Sequence, residues 1–413
     1  MNADLKRVFS PAKLAGLTLS NRIIKAATFE GMSPKGMPSQ SLIDFHKKIC
    51  QGGVAMTTIA YCATEPDGRL HEDMILMNAS VETELRGMLA ELHKTDAKVS
   101  GQMAHCGHFS KNRKLQRLKR PLGPSKHFNS LGATVGQPFA GAMSEADIKY
   151  FIDSYHNAAL FMKDIGFDAV EIHFGHGYGL SQFISPLTNR RTDQYGGCIG
   201  NRMRVPLMAL EAVRKAVGDD FPILGKLSMF DAVRGGVQEA DSLVVAELLD
   251  RAGIDAIITS AGTSSYNPMP MFRGKSIAPG IIDTAPNLFS KLLFKMVAPR
   301  MFRDMTYREL YLLDGHKRIR ERVKNAKMVY IGGCHTTQSL QTVMAAGIDF
   351  VQIGRALIKD PNFVNNVMSQ GESYQNGCTH CNYCVTSIDR PGGVHCILNE
   401  SKNSTGSVVL NPS

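Results

Sequence analysis

The chain has 413 residues, of which 43% are apolar and 20% are charged, and this composition is typical of a globular protein with a large core. Lys and Arg outnumber Asp and Glu by 47 to 37, which suits the phosphates of a nicotinamide nucleotide. No motif supports nucleic-acid binding, so we predict no nucleic-acid partner. We find no secretory leader and no apolar run of about 20 residues that would cross a bilayer, and therefore expect a cytoplasmic protein without membrane contact.

Short β-branched or aliphatic segments recur along the chain with helical segments between them. This alternation is typical of parallel β/α units, and an elaborated barrel of eight such units can exceed about 400 residues. We therefore predict an α/β fold, a single (β/α)8 TIM barrel with loop insertions and a short C-terminal cysteine-rich extension. The predicted strands are 22–26, 54–59, 98–103, 168–173, 222–228, 255–260, 328–332 and 350–354.

The clearest unit precedes the fourth predicted strand. Ser144 and Asp147 have the spacing of a capping box, apolar residues follow at helical spacing, and Gly166 stands where a C-cap glycine belongs. The same order of helix, Gly-x-Asp and strand recurs at 239–259 and 337–354. These repeats favour a barrel over an open sheet.

Two connections are too long to be simple turns. Residues 108–143 are rich in Gly, Pro and Ser, which predicts a capping loop or hairpin. Residues 263–326 contain an apolar and basic stretch, which predicts a helical insertion over the barrel mouth or a contact in a homo-oligomer, with a membrane-surface helix as the alternative. No Gly-x-Gly-x-x-Gly follows a predicted strand, so no Rossmann domain is expected. We divide the chain into a barrel over 1–372 and a cysteine-rich segment over 373–413.

Polar residues cluster after the fourth predicted strand, and barrels of this kind place their active sites at that end of the strands. His173, His176 and Tyr178 lie there, in a block that runs to residue 202. The block resembles the signature of the old yellow enzyme family, in which two imidazole or amide donors and a tyrosine follow strand four. Matching segments at other predicted strands extend the resemblance over about residues 8–372.

The resemblance implies FMN as the cofactor and NAD(P)H as the co-substrate. Lys226 would stabilise the negative charge of the reduced flavin near N1 and O2, and Gln102 would face its pyrimidine edge. Glycine N–H groups and Arg355, after strands seven and eight, would hold the phosphate. The implied flavin contacts are Ala27, Thr28, Ala60, Gln102, Lys226, Gly332, Gly333, Gly354 and Arg355.

The family also implies a two-step cycle on a small-molecule substrate. NAD(P)H reduces FMN and leaves, and an α,β-unsaturated carbonyl compound takes its place. His173 and His176 would donate hydrogen bonds to the carbonyl oxygen, and such donors contribute about 3–4 kcal/mol each when they face developing charge. Tyr178 would protonate the α-carbon. Each residue alone also has a structural interpretation; Lys226, for example, has the alternative of a buried salt bridge.

Three positions near the predicted site carry less certain roles. Phe29 stands, in the simplest register, where the family often carries Thr or Cys near flavin O4. His108 stands where an arginine is common after the third strand, which predicts a mouth of different shape. His105 is a candidate for packing near the flavin.

Four cysteines near the C-terminus have the spacing of a metal site. Cys378, Cys381 and Cys384 are separated by two residues each, and Cys396 follows. The arrangement is similar to the iron–sulfur segment of 2,4-dienoyl-CoA reductase and trimethylamine dehydrogenase. A [4Fe-4S] cluster, structural zinc and no metal all remain open. The other cysteines are expected to be ordinary buried or loop thiols: Cys50, Cys62, Cys106, Cys198 and Cys334.

Two other functions remain beside the ene-reductase hypothesis. One is an FMN and iron–sulfur dehydrogenase or demethylase that oxidises a small amine or alcohol, and it predicts reduction of FMN by substrate without NAD(P)H. The other is a non-catalytic flavin-binding or iron–sulfur protein, which steady-state oxidation of NAD(P)H would exclude.

Overall fold

The computed structural model describes residues 2–285 and 287–400. Eight parallel strands pair in the order of the chain, and the last pairs with the first to close a barrel. The predicted (β/α)8 barrel and its eight strands are therefore confirmed. The barrel strands are β1 Ile23–Lys25, β2 Met56–Ala63, β3 Lys98–Ala104, β4 Ala169–Phe174, β5 Ile223–Ser228, β6 Ala256–Ser260, β7 Lys327–Tyr330 and β8 Phe350–Ile353.

A helix follows each barrel strand and covers the outside of the barrel. Before β4, Ser144 and Asp147 form the expected capping box, and the helix ends at Gly166, whose φ of 107° lies in the left-handed region that favours glycine. These outer helices are α1 Gln40–Gln51, α2 Glu82–Leu92, α3 Glu145–Ile165, α4 Arg204–Val217, α5 Glu239–Arg251, α6 Leu313–Arg322, α7 Thr337–Ala345 and α8 Phe363–Gln370.

The base of the barrel is sealed by apolar side chains. Leu14 and Leu19, from the hairpin of strands Ala12–Leu14 and Leu17–Leu19, belong to the same buried cluster as inward-pointing residues of the barrel strands. Those inward-pointing residues include Met56, Ala169, Leu224, Ile258 and Phe350.

Polar groups occupy the opposite end of the barrel interior. Successive side chains of a strand point to opposite faces, so a residue two positions after an inward-pointing one also points inward. At these positions the strands carry buried polar residues in place of apolar ones. The polar side chains of the barrel interior therefore lie towards the carboxyl ends of the strands. The residues are Thr58, Glu171, Lys226, Ser260 and Gln352.

Both long connections have structure of their own. In 108–143, strands His127–Phe128 and Phe139–Ala142 pair antiparallel, which confirms the predicted hairpin. The connection 263–326 is helical, as predicted, and its helix Leu288–Met301 exposes several apolar side chains. A homo-oligomer contact or a membrane-surface role for that helix stays a prediction. Across the described ranges, none of the helices has both the length and the apolarity of a transmembrane span.

The remaining elements are short. The further helices are Ala3–Val8, Ser130–Ala133, Gly179–Ile184, Ile199–Arg202, Met269–Phe272, Ala278–Asp283, Arg355–Lys359, Tyr383–Thr386 and Ile397–Glu400. The further strands are Ile75–Leu76 and Leu122–Gly123.

The cysteine-rich segment packs across the mouth of the barrel. The N–H of Val394 donates to the carbonyl oxygen of Glu30 at 2.7 Å, in the loop that follows β1. Lys275, in the helical insertion, donates its N–H to the carbonyl oxygen of His380 at 3.1 Å. The segment therefore forms a lid over the polar end of the barrel. Residues 401–413 of the predicted segment lie outside the described residues.

Candidate active site

The carboxyl ends of the strands open into a cavity of about 240 Å³. His173 and His176 line it, and Ala60 is buried beside Tyr61, whose ring also lines it. The barrel therefore brings most of the predicted flavin contacts to one cavity. The predicted flavin contacts that line the cavity are Ala27, Thr28, Gln102, Lys226, Gly332, Gly333, Gly354 and Arg355.

A buried ionic network forms one wall of the cavity. The Nζ atom of Lys226 lies 2.8 Å from Oε1 of Glu171. Gln102 donates from Nε2 to the same oxygen at 2.5 Å, and Gln352 donates from Nε2 to Oε2 of Glu171 at 2.7 Å. The salt-bridge interpretation of Lys226 is therefore present, and Lys226 still lines the cavity.

Neither Glu171 nor Gln352 is among the site residues that the sequence pattern identifies. Each lies two residues before a predicted site residue, His173 or Gly354, and so shares its side of the strand. Strand periodicity, applied backwards from those two residues, places both on the inward side of their strands but does not pair them.

Two glycines and an arginine that follow β7 and β8 line the cavity. Gly332 and Gly333 follow β7 with φ values of 131° and 73°, which glycine adopts readily and other residues do not. Arg355 follows β8 and donates from Nη1 to the carbonyl oxygen of Arg273 at 2.9 Å and to Oδ1 of Asn382 at 2.7 Å. A cation and glycine backbone that line the same cavity suit a phosphate.

His173, near the end of β4, and His176, just after it, form a pair of neutral donors. Their ring centroids are 4.9 Å apart and their planes are nearly perpendicular, at 89°. The N–H of Gly175 donates to Nδ1 of His173 at 3.4 Å, which leaves the proton on Nε2. Nε2 of His176 lies 2.7 Å from Oγ of Ser260, and with that hydroxyl donating, the ring keeps its proton on Nδ1.

The charge state of these rings follows from their burial. Burial lowers the pKa of His173 well below its ordinary value, and the neighbouring His176 ring and the charge of Lys226 lower it further. Burial, together with Lys226, lowers the pKa of His176 to about 3. Both imidazoles are therefore neutral at pH 7, and each can donate one N–H group.

Two tyrosines lie against this pair. The ring of Tyr178 stacks on His173, with centroids 4.4 Å apart, and it lies 5.1 Å from the ring of Tyr61. Tyr178 is only 2% exposed, whereas Tyr61 lines the cavity and stacks on Phe29 at 5.8 Å. Burial raises the pKa of Tyr178 well above its ordinary value and that of Tyr61 to about 12, so both phenols keep their protons at neutral pH.

A buried ion pair anchors the loop that carries Ala27 and Thr28. Lys25 and Glu30 form a salt bridge, and their side chains are 0% and 1% exposed. Thr28 accepts a hydrogen bond from Nζ of Lys25 at 3.0 Å, and its hydroxyl donates to Oε1 of Glu30 at 3.0 Å. His46, on α1, places Nε2 3.6 Å from the same carboxylate. The ion pair thus ties the loop to the end of β1.

His105 and His108 contact other side chains than His173 and His176. His105 places Nε2 2.7 Å from Oε1 of Glu65, and both residues are buried. His108 stacks on His127 of the capping hairpin, with centroids 4.7 Å apart. A direct contact between His105 and the flavin stays a prediction.

Residues 7–270 match the model of the NADH:flavin oxidoreductase / NADH oxidase family. The chain belongs to this family. Membership confirms the resemblance to old yellow enzymes and the predicted flavoprotein oxidoreductase, with FMN as cofactor and NAD(P)H as reductant.

Relatives of this chain differ in length and in named activity. The chain is 34% identical over 403 residues to the 4,4'-dithiodibutanoate disulfide reductase of Rhodococcus erythropolis, which covers 97% of this chain and 96% of that protein. It is 28% identical over 379 residues to the NADH oxidase of Thermoanaerobacter brockii, covering 91% of this chain and 52% of that one. The solved complex of 2-naphthoyl-CoA reductase with 2-naphthoyl-CoA has a similar fold, with a TM-score of 0.80 at 20% identity over 96% of this chain and 57% of that chain. The chain thus spans about half the length of the last two proteins.

The cavity suits the FMN of this NADH:flavin oxidoreductase family. The side-chain oxygens Oε1 of Gln102 and Oε1 of Gln352 are buried without a hydrogen-bond partner among the described residues. Both amides line the cavity, and a flavin carries hydrogen-bonding groups along its pyrimidine edge that would satisfy them. The assignment of individual residues to the flavin stays a prediction.

The cysteine-rich segment reaches the same cavity. Cys378 and Cys384 line it, and a second, smaller cavity is lined by all four predicted ligands, Cys378, Cys381, Cys384 and Cys396, together with Arg355. Within 2–285 and 287–400, no group of three or more His, Cys, Asp or Glu side chains is placed to hold a single metal ion. Thiols around one cavity suit iron or zinc as donors, and the choice of metal stays a prediction. Of the other cysteines, Cys198 is exposed and the remaining four are buried.

Proposed function

We propose that the chain uses NAD(P)H to reduce FMN and then the activated C=C bond of an α,β-unsaturated carbonyl compound. The observation that carries the proposal is the pair of neutral imidazoles, His173 and His176, with centroids 4.9 Å apart on the wall of the cavity. Two N–H donors on the wall of one cavity can hold a carbonyl oxygen and stabilise the charge that develops on it.

Each group has one task in this scheme. When bound, FMN supplies the hydride for the β-carbon. His173 and His176 hold the carbonyl oxygen, and Tyr178 delivers the proton to the α-carbon. Lys226 and Arg355 hold the two ends of the cofactor. The reaction consumes one NAD(P)H and one proton for each double bond, and both hydrogens end on the product.

The proton donor can be tested with two tyrosine variants. Tyr178→Phe should slow reoxidation of the reduced enzyme by 2-cyclohexenone by about 10²-fold or more, because general acids contribute about 10²–10⁴-fold. Reduction by NADPH should stay close to the wild-type rate, since that half-reaction needs no such acid. Tyr61→Phe is the matched variant, because the ring of Tyr61 lies 5.1 Å from that of Tyr178 and Tyr61 itself lines the cavity. If Tyr61→Phe abolishes reoxidation and Tyr178→Phe does not, the assignment to Tyr178 is wrong.

A second candidate function is reduction of a small disulfide. The Rhodococcus erythropolis relative named as a disulfide reductase matches this chain over almost its whole length. In this case NAD(P)H, one proton and the disulfide would yield two thiols and NAD(P)⁺. Steady-state assays with 4,4'-dithiodibutanoate and with 2-cyclohexenone compare the two candidates directly. We expect faster turnover with the enone, and a strong preference for the disulfide would replace the first proposal with the second.

We also propose that Cys378, Cys381, Cys384 and Cys396 hold a [4Fe-4S] cluster. Anaerobically purified protein should contain about four iron atoms per chain in addition to FMN. Cys384→Ala should lose this iron, whereas Cys198→Ala, which removes an exposed thiol, should keep it. Elemental analysis measures iron and zinc. A content of one zinc per chain, or of no metal, would contradict the proposal.

A further inference from the structure

Glu171 is a fully buried carboxylate at the centre of the flavin-facing wall. Its side chain is 0% exposed, and it lies 2.8 Å from the ammonium group of Lys226. It also accepts hydrogen bonds from the amide groups of Gln102 at 2.5 Å and Gln352 at 2.7 Å. One acid therefore contacts three polar side chains that line the cavity, those of Lys226, Gln102 and Gln352.

These contacts fix the direction of both amides. An ionised carboxylate can only accept hydrogen bonds, so each glutamine must present its NH₂ group to Glu171. The amide oxygens are left on the far side, and both are buried without partners among the described residues. Because Gln102 and Gln352 line the cavity, two acceptors are displayed to a ligand that can donate N–H groups.

The same carboxylate also weakens the electrostatic effect of the Lys226 cation on the cavity. A cation that faces the flavin favours the anionic reduced form, because that form carries negative charge near N1 and O2. A carboxylate bonded to that cation offsets its field, and the two charges interact strongly in a site shielded from water. The net field on the cofactor therefore depends on the acid as well as on the base.

We propose that Glu171 is a positioning residue that orients Gln102, Gln352 and Lys226 towards FMN and holds the reduction potential of the cofactor below the value that Lys226 alone would give. This inference rests on the proposed position of FMN, and it does not depend on whether the substrate is an enone or a disulfide. It concerns an acid that touches the flavin's ligands and not the flavin itself.

The test is the midpoint potential of bound FMN, measured by anaerobic titration against reference dyes. Glu171→Gln keeps the shape of the side chain and removes its charge, so the potential should rise. We expect the ratio of reduced to oxidised FMN affinity to increase at least tenfold, which corresponds to about 30 mV for a two-electron couple. Lys226→Met should shift the potential in the opposite direction.

Two further variants separate this effect from a loss of packing. Glu171→Asp keeps the charge and should restore most of the wild-type potential. Asp250→Asn removes another buried acid, which accepts hydrogen bonds from the backbone of residues 324–326 outside the barrel. It should lower thermal stability without moving the potential, as a purely structural role predicts.

The outcomes distinguish a failure of the Glu171 inference from a failure of the proposed FMN site or of the role proposed for Lys226. If wild-type protein binds no FMN in this cavity, the flavin site itself is wrong. If Lys226→Met leaves the potential unchanged, the assignment of Lys226 is wrong and this inference fails with it. If Lys226→Met shifts the potential and Glu171→Gln does not, the inference alone is overturned.

Should Glu171→Gln fail to fold, the double variant Glu171→Gln/Lys226→Met removes both buried charges together. Its potential should then lie above that of Lys226→Met, and equal potentials would overturn the inference.

Discussion

Replacing both His173 and His176 by alanine is expected to slow reoxidation of the reduced enzyme by 2-cyclohexenone by about 10⁴-fold. Loss of one donor to a developing oxyanion costs about 10²–10³-fold in rate, and here both donors of the pair would be lost. Each single variant should lose about 10²-fold, since the remaining imidazole still holds the carbonyl oxygen. Stopped-flow absorbance of the flavin measures the rate.

The control for this experiment is His316→Ala. His316 is also a buried imidazole, on α6, and Nδ1 of its ring lies 2.7 Å from Oγ1 of Thr259. Its loss should reduce stability without changing the rate for each bound flavin. An unchanged rate in the His173/His176 double variant, with FMN still bound, would show that the pair does not act on the substrate.

The pH dependence of the same reaction provides an independent check. Because burial lowers the pKa of His173 well below its ordinary value and that of His176 to about 3, both rings stay neutral between pH 5 and 8. The reoxidation rate should therefore show no inflection near the ordinary histidine pKa of about 6.5. An inflection there that disappears in His176→Ala would mean that His176 acts as a cation.

The barrel was predictable because the sequence features that specify it are local and recur along the chain. Several units carry a helix-ending glycine followed by a short buried strand, so the pattern at Gly166 could be recognised again at Gly253 and Gly347. The strand-end residues His173 and Lys226 followed from the rule that barrel enzymes use the carboxyl ends of their strands. Their pairing across β4 and β5 is present in the structure.

The parts of the site that were not predictable depend on contacts between distant segments. Glu171 has an ordinary place in a buried strand, and only the closed barrel brings it to Gln352, 181 positions later in the chain. Tyr61 follows a residue that the resemblance assigned to the flavin, but only the fold brings its ring within 5.1 Å of that of Tyr178, which follows β4. Sequence spacing carries no information about such pairs.

The position of the cysteine-rich lid over the cavity was also not predictable from the sequence. The spacing of Cys378, Cys381 and Cys384 indicated a metal site, yet nothing in it placed that site next to the flavin cavity. Arg355 contacts Asn382 in the cysteine-rich segment and lines both cavities. The group proposed to hold the FMN phosphate therefore also fixes the segment that carries the cysteines, so each site depends on the other for its geometry.

A large loss of stability is expected when the ion pair of Lys25 and Glu30 is broken, because this pair anchors the loop that carries Ala27 and Thr28. Lys25→Met should reduce the free energy of unfolding at pH 7 by about 3–5 kcal/mol, because it leaves the buried carboxylate of Glu30 without its cation. The double variant Lys25→Met/Glu30→Gln removes both charges and should recover most of that loss. Lys47→Met is the control on α1, since its salt bridge with Glu91 is about one-third exposed and should be worth no more than about 1 kcal/mol.

The pH dependence of the Lys25→Met variant identifies the cause of this loss. Burial raises the pKa of Glu30, while Lys25 lowers it, so the pKa in the variant should be higher still. The folded variant then binds a proton that the unfolded chain releases above a pH of about 4.3. Its stability should fall further behind the wild type as the pH rises from there towards 7, and chemical denaturation at several pH values measures this. A deficit that does not change with pH would mean that lost packing, and not the uncompensated Glu30 carboxylate, destabilises the variant. FMN affinity should fall in parallel, because Thr28 loses the hydrogen bond from Lys25 that holds its loop against the cavity.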